Sequence, residues 1–140
     1  MTKAAGSRLR WTYNVPVGFP TSERRIEDAE QQLGRRLPDD MRARLLRDNG
    51  GDVKVDGDDW QLHPVWDDSN RRTIARTSNH VVSETGEART WRSFPEGAIA
   101  VGRDGSGDFL VLRVGAVRVE RWSHETGTCA PVDVDWGPTP

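Results

Sequence analysis

Apolar residues between positions 26 and 51 recur at helical spacing and predict two amphipathic helices joined by a tight corner. The two predicted apolar stripes consist of Ile26, Ala29 and Leu33 in the first helix and of Met41, Leu45 and Leu46 in the second. Gly34 favours the end of the first helix, and Pro38 favours the start of the second because its missing N–H needs no partner there. A helix pair this short cannot bury both stripes alone, so the rest of the chain must cover it.

After Gly51 the pattern changes from helical spacing to alternation, which predicts strands. The predicted extended segments are 52–55, ended by the turn Asp56-Gly57, and then 60–66, 98–101, 109–113 and 117–122, with a short edge strand or ordered coil at 132–136. A further helix is expected over 70–84. Two helices, strands, a helix and an antiparallel meander predict an α+β fold, with the helices packed on one side of a mostly antiparallel sheet.

The length of 140 residues favours one domain, which we place at residues 21–136. Residues 1–20 are predicted to form an extended, partly disordered N-terminal arm, and residues 137–140 a flexible tail. Trp91 and Phe94 are predicted core anchors. They should contact the helix pair together with Leu110 and Leu112, against an interface containing Leu33, Leu37, Leu45 and Leu46.

Composition excludes several classes of function. The net charge of −2 lacks the basic excess of a nucleic-acid-binding domain. The single cysteine, Cys129, excludes an internal disulfide and a cysteine-based zinc site. The N-terminus lacks the apolar core of a signal peptide, and no run of about 18 apolar residues is present. These features predict a cytoplasmic protein without a membrane partner, and no residue pattern indicates a cofactor.

Two short motifs carry possible chemistry. Residues 104–108 open like a calcium loop, but Gly115 stands where such a loop needs a bidentate Glu, so a polar hairpin turn is favoured. His124 and Glu125 precede Cys129, which leaves open a small hydrolase or metal-dependent enzyme using these three residues. That hypothesis requires the three side chains to converge in one pocket, which spacing in the sequence does not show. No catalytic or metal-binding residue is therefore assigned.

Acidic residues are concentrated between positions 52 and 68, where only Lys54 opposes them. The candidate partner-binding residues are Asp52, Asp56, Asp58, Asp59, Trp60, Trp66, Asp67 and Asp68. The carboxylates either solubilise loops and cap a helix, or form a negative patch that steers a basic protein toward the domain. In the second case the two tryptophans would supply the apolar contact at the centre of the interface.

The order of several short motifs resembles the SUKH superfamily, and within it the Smi/Knr-type branch. The motifs are Leu37-Pro38, Asn49-Gly50-Gly51, Trp60-x-Leu62-x-Pro64-Val65, Phe94-Pro95-x-Gly97, Gly107-Asp108-x-Leu110 and Val119-x-x-Trp122-x-His124-Glu125-x-Gly127. Together with the two helices, they cover residues 21–127, most of the chain.

The resemblance implies an α+β domain that binds proteins and is not an enzyme. Bacterial members of the superfamily are mostly immunity proteins that bind and neutralise a toxin, and fungal members are intracellular adaptors tied to cell-wall synthesis. An immunity protein against a toxin domain is therefore the expected function. A regulatory scaffold of the same family is the alternative within the class of binding proteins, and the identity of the partner stays open.

Overall fold

The computed structural model describes residues 19–138 of the chain. Most of the predicted N-terminal arm and the last two residues of the predicted tail lie outside this range. The elements within it are α1 (Glu23–Leu33), α2 (Asp39–Arg47), β1 (Gly51–Val55), β2 (Asp58–Leu62), α3 (Arg71–Arg76), α4 (Val81–Ala88), β3 (Ile99–Arg103), β4 (Phe109–Leu112), β5 (Glu120–Trp122), β6 (Cys129–Pro131) and β7 (Val134–Asp135).

The opening helix pair forms as the sequence predicts. Ser22 caps α1 by accepting a hydrogen bond from the backbone N–H of Arg25. Gly34 ends the helix in the left-handed conformation, at φ 82°. Glu30 then ties the corner together, because its Oε2 accepts from the backbone N–H of Leu37 at 2.7 Å and from Nε of Arg42 at 2.9 Å.

The strands form one antiparallel sheet in the order β6-β5-β4-β3-β2-β1-β7. Strands β6 and β7 lie at opposite edges of this sheet, yet Pro131 and Val134 are only three residues apart in the chain. Three extended residues span at most about 10 Å, so the sheet must curl until its two edges approach each other. The β1–β2 turn fixes this closure, since the backbone N–H of Asp56 donates to the carbonyl of Asp133 at 2.9 Å.

The main core lies between the helix pair and one face of the sheet. Leu37 and Leu45 share a buried cluster with Leu110 and Leu112, and Leu33 and Leu46 pack against its edge. These contacts confirm the predicted interface between the helices and β4, and the α+β fold class is confirmed with them.

The prediction that Trp91 and Phe94 face the helix pair is wrong. Phe94 packs on the opposite face of the sheet, with its ring centroid 6.0 Å from Phe109 and 5.3 Å from Trp122. Trp91 is 45% exposed and touches the same two rings at their edges. The reason is the alternation along β4, which sends Phe109 to one face and Leu110 to the other, so the sheet carries a second, smaller core.

Two predicted elements are divided or shortened. The helix predicted over 70–84 is two helices, because Thr77 ends α3 and bonds Asp67 through its hydroxyl, while the His80 side chain caps α4 by accepting from Ser83. Side chains that bond nearby backbone groups compete with continuous helix. The strand predicted over 117–122 forms only at 120–122, after a turn through Gly115 at φ 78°.

Candidate protein-binding site

The carboxylates between positions 52 and 68 do not surround a single cavity. Asp52 and Asp59 line one cavity, together with the edge of Trp60. Trp66 and Asp68 line another, beside the first turns of α1. The interval therefore contributes residues to two separate cavities.

The group around Trp66 is held by contacts within the chain. Asp67 is buried, accepts from Ser69 at 2.9 Å and lies 3.4 Å from the guanidinium of Arg25, which also pairs with Asp68 at 3.0 Å. Burial raises the pKa of Asp67, but the hydrogen bonds from Ser69 and the charge of Arg25 outweigh it and hold the pKa below its usual range. Trp66 is 38% exposed and its ring lies 5.3 Å from that of His80.

Two other candidates serve the fold directly. Asp56 occupies the β1–β2 turn at φ 49°, and its Oδ1 accepts from the backbone N–H of Asp133 at 3.1 Å. Trp60 is only 4% exposed and belongs to the main core, with the guanidinium of Arg121 at 5.4 Å from its ring centroid. Trp60 therefore offers little surface to a partner. Asp58, at the start of β2, is exposed.

The more promising feature is a cavity of about 600 Å³, hereafter the acidic cavity. Six acidic residues and one arginine line it, namely Asp52, Asp59, Glu84, Glu87, Asp104, Asp108 and Arg103. They come from the β1–β2 hairpin, from α4 and from the β3–β4 region. The exposed Trp91 forms part of the same wall. Negative charge is thus concentrated in a concave site that also presents an aromatic ring.

Only part of this negative charge is neutralised within the chain. Asp59 pairs with Lys54 at 2.7 Å, and Glu84 lies 3.7 Å from Arg103. Among the residues that the structure describes, Asp52 and Glu87 form no ion pair within 4.0 Å. The cavity therefore keeps a negative field that a basic group would meet first.

His63 lies beneath Glu84 and is fully buried. Its Nδ1 is 2.8 Å from the carbonyl oxygen of Ala100, which only accepts, so Nδ1 carries the proton. Burial, aided by the charge of Arg103, lowers the pKa of His63 to about 4 against the effect of that hydrogen bond. The ring is neutral at pH 7, and its Nε2 is an acceptor that lies 4.0 Å from Oε1 of Glu84.

Asp108, at the end of the cavity, contrasts with Glu84 because both its oxygens have donors. Oδ2 accepts from the Arg121 guanidinium at 2.7 and 3.0 Å, and Oδ1 accepts from the backbone N–H of His124 at 3.1 Å and lies 2.6 Å from its Nδ1. Burial raises the pKa of Asp108, but these hydrogen bonds outweigh it and lower the pKa. Asp108 thus anchors β5 and the turn after it to the start of β4.

The three residues of the enzyme hypothesis do not share one environment. His124 is held by Asp108 and lies against Trp91, with ring centroids 6.1 Å apart, and Glu125 is exposed. Cys129 pairs with Trp122 across β5 and β6, where burial raises the pKa of its thiol. A raised pKa leaves little thiolate at neutral pH, and thiolate is the nucleophilic form. In residues 19–138 no group of three His, Cys, Asp or Glu side chains is placed to hold a metal ion.

Comparison of the sequence with known protein families identifies the family of this chain. Residues 20–133, most of the chain, match the SMI1 / KNR4 family (SUKH-1). The chain belongs to that family. The resemblance drawn from the ordered motifs is thereby confirmed, and SUKH domains are in general protein-binding and not catalytic. No curated protein and no solved structure matches the chain. The part of this SUKH domain that the structure describes contains no helix long and apolar enough to cross a membrane.

Five charged residues and one tryptophan of the acidic cavity were not among the predicted binding candidates, namely Glu84, Glu87, Trp91, Arg103, Asp104 and Asp108. They lie far from the 52–68 interval in the chain, and only the fold brings them beside Asp52 and Asp59. One local signal existed, because Glu84 and Glu87 are three residues apart and therefore share a face of any helix that contains both.

Proposed function

We propose that this SUKH domain is an immunity protein that binds a cognate toxin domain through the acidic cavity and neutralises it in the cytoplasm. The observation that carries the proposal is the cavity itself, with six acidic residues and one arginine in its lining and a 45% exposed tryptophan in its wall. Tryptophan is enriched at the centre of protein interfaces, and polar and charged residues surround that centre at the rim.

Charge favours a basic partner over other proteins. A toxin that cleaves nucleic acid has a positive substrate groove, and the carboxylates of the cavity would occupy such a groove in place of phosphates. Charges at the rim of an interface mainly accelerate association, and they are screened over about 8 Å at physiological ionic strength. Asp52, Asp58 and Asp59 of the predicted set fit this role, since all three lie exposed on the β1–β2 hairpin.

The test starts from the reading frames beside this gene, one of which should encode a multidomain toxin. The toxin domain is produced in cells with and without this protein, and growth is measured. The proposal expects protection and a complex whose association rate falls steeply between low and moderate salt. Asp52→Asn with Glu87→Gln should slow association several-fold, whereas the control Asp39→Asn, at the start of α2, should not.

A complex with an enzyme of the cell's own metabolism, with no protection from a toxin, would contradict the immunity role and support the regulatory scaffold instead. Salt-independent association would contradict the acidic cavity as the binding site. Loss of protection in the variant Glu125→Gln with Cys129→Ser, with the fold intact by circular dichroism, would support the enzyme hypothesis. His124 is kept in this variant because its ring packs against Trp91 in the cavity wall.

A further inference from the structure

Glu84 lines the acidic cavity, and a second hydrogen-bond acceptor lies beside it in the protein interior. Nε2 of His63 and Oε1 of Glu84 are 4.0 Å apart, and Nδ1 of the same imidazole already donates to Ala100. Within the described part of the chain, Nε2 is buried and has no hydrogen-bond partner. A buried acceptor of this kind costs free energy unless a donor reaches it.

A neutral His63 also leaves the charge of Glu84 available. A protonated imidazole at 4.0 Å would neutralise that carboxylate, but this ring carries its only proton on the opposite nitrogen. In residues 19–138 the cation that pairs with Glu84 is Arg103, at 3.7 Å, and its side chain is 43% exposed. The site therefore accepts a further positively charged donor.

Glu87 and Trp91 extend the site toward solvent. Glu84 and Glu87 are three residues apart in α4, and both line the cavity. Edge-to-face contacts with Phe109, Trp122 and His124, at 6.1–6.4 Å between centroids, hold Trp91 in place beside them. The cavity thus offers two carboxylates and a fixed aromatic ring to the same ligand group.

We propose that the partner protein inserts an arginine side chain into the acidic cavity, against Glu84 and Glu87 and beside Trp91. This inference rests on the proposed function, since it names the group by which a basic partner is recognised. Arginine fits better than lysine because a planar guanidinium donates several hydrogen bonds to carboxylates while stacking on an aromatic ring. An ammonium group provides one compact charge and no flat surface.

The test uses three blocked tripeptides, acetyl-Gly-X-Gly-amide with X as arginine, lysine or citrulline, titrated into the full-length ¹⁵N-labelled protein. Citrulline keeps the shape of arginine without its charge. We expect saturable shifts of the Trp91 indole N–H and of the Gln61 and Arg103 amides with the arginine peptide. Affinity for the lysine peptide should be several-fold weaker, and the citrulline peptide should cause no saturable shift.

Variants locate the binding group. Glu84→Gln with Glu87→Gln should weaken arginine binding at least tenfold, and Trp91→Ala should weaken it as an independent variant. Asp68→Asn, in the cavity beside α1, is the matched control and should bind like the parent protein. Equal binding of the arginine and citrulline peptides, or equal binding by the double variant and the control, would overturn the inference.

The failures of the two proposals are distinguishable. If Glu84→Gln with Glu87→Gln loses the arginine peptide but binds and neutralises the toxin normally, the inserted arginine is wrong and the immunity role stands. If the arginine peptide binds as described but no toxin is neutralised, the recognition chemistry stands and the immunity role falls.

Discussion

The carboxylates of Glu30 and Glu84 differ in whether the chain itself provides their hydrogen-bond donors. Glu30, at the helix corner, receives hydrogen bonds from Leu37 and Arg42, and the side chains of Glu30 and Arg42 are only 10% and 8% exposed. Glu84, in the acidic cavity, lies beside a neutral acceptor on His63 and a half-exposed Arg103. The carboxylate of Glu30 has its donors within the chain, whereas in residues 19–138 no hydrogen-bond donor reaches the carboxylate of Glu84. Complete pairing marks a structural carboxylate, and incomplete pairing marks one available to a partner.

Asp108 belongs with Glu30 in this comparison although it lines the cavity. Its contact with Nδ1 of His124 resembles the aspartate–histidine pair of a hydrolase, but Arg121 and the backbone of His124 complete its hydrogen bonding. The pair therefore positions a turn. Geometry of one contact does not establish catalysis without a nucleophile and an electrophilic site around it.

The largest expected effect follows from removing the structural carboxylate. Glu30→Ala should lower the free energy of unfolding by roughly 3–5 kcal/mol. The substitution removes the acceptor for the buried guanidinium of Arg42 and for the N–H of Leu37. The value should fall near the lower end, since Glu23 still contacts Arg42. Urea unfolding measures the loss. A change below about 1 kcal/mol would show that the corner does not depend on Glu30.

Leu45→Ala provides a comparison for the loss of stability in Glu30→Ala, because it removes apolar contacts and no charge. Leu45 is fully buried between the helix pair and the sheet, so its truncation should cost about 2–5 kcal/mol through lost burial and the cavity left behind. The same urea titration checks it, and Leu46→Ala, at the edge of the core, should cost less. Equal losses for the two leucines would contradict the position of the core boundary.

The pH dependence of stability tests whether the buried imidazole of His63 is neutral. Its unfolded imidazole binds a proton near pH 6.5, whereas the folded one binds it only near pH 4, so the unfolded state holds more protons between these values. Stability should therefore fall as the pH drops from about 6.5 to 4, by at most about 3 kcal/mol. His80, whose pKa burial also lowers, contributes in the same direction.

His63→Gln should remove most of that slope and leave the losses below pH 4 that belong to Asp67 and Asp108, since their folded pKa values are lowered. Chemical denaturation at a series of pH values gives both curves. An unchanged slope in His63→Gln would contradict the buried neutral imidazole.

The helix pair and the hairpins could be predicted from the sequence because the residues that indicate them are close together in the chain. Gly34 and Pro38 punctuate the helices, and Asp56-Gly57 sets the β1–β2 turn. The position of Trp91 could not be predicted in the same way, because an aromatic residue in a connection carries no periodicity to assign it to a face of the sheet. Thr77 and His80 interrupt a predicted helix because their side chains bond to backbone groups. The Thr77 contact could not be predicted, since it depends on where the fold places Asp67.

The candidate site was less accessible to sequence reasoning than the fold. Concentration in the chain suggested that Asp52, Asp67 and Asp68 act together. Asp52 instead lines the acidic cavity, whereas Asp67 and Asp68 pair with Arg25, and Asp68 lines a different cavity. Conversely, Glu84 lines the same cavity as Asp52 because α4 packs against β3, beside the β1–β2 hairpin. A site assembled from separated segments follows from the packing, which no local pattern contains.

The proposed function requires that the carboxylates of the acidic cavity serve a partner and not the fold. The most direct measurement compares urea unfolding of the triple variant Asp52→Asn, Glu84→Gln and Glu87→Gln with that of Glu30→Ala. These substitutions keep side-chain shape and remove like charges from one cavity, so we expect the triple variant to stay within about 1 kcal/mol of the parent or to become more stable. A loss as large as that of Glu30→Ala would contradict this role, because it would show that the carboxylates of the cavity stabilise the fold.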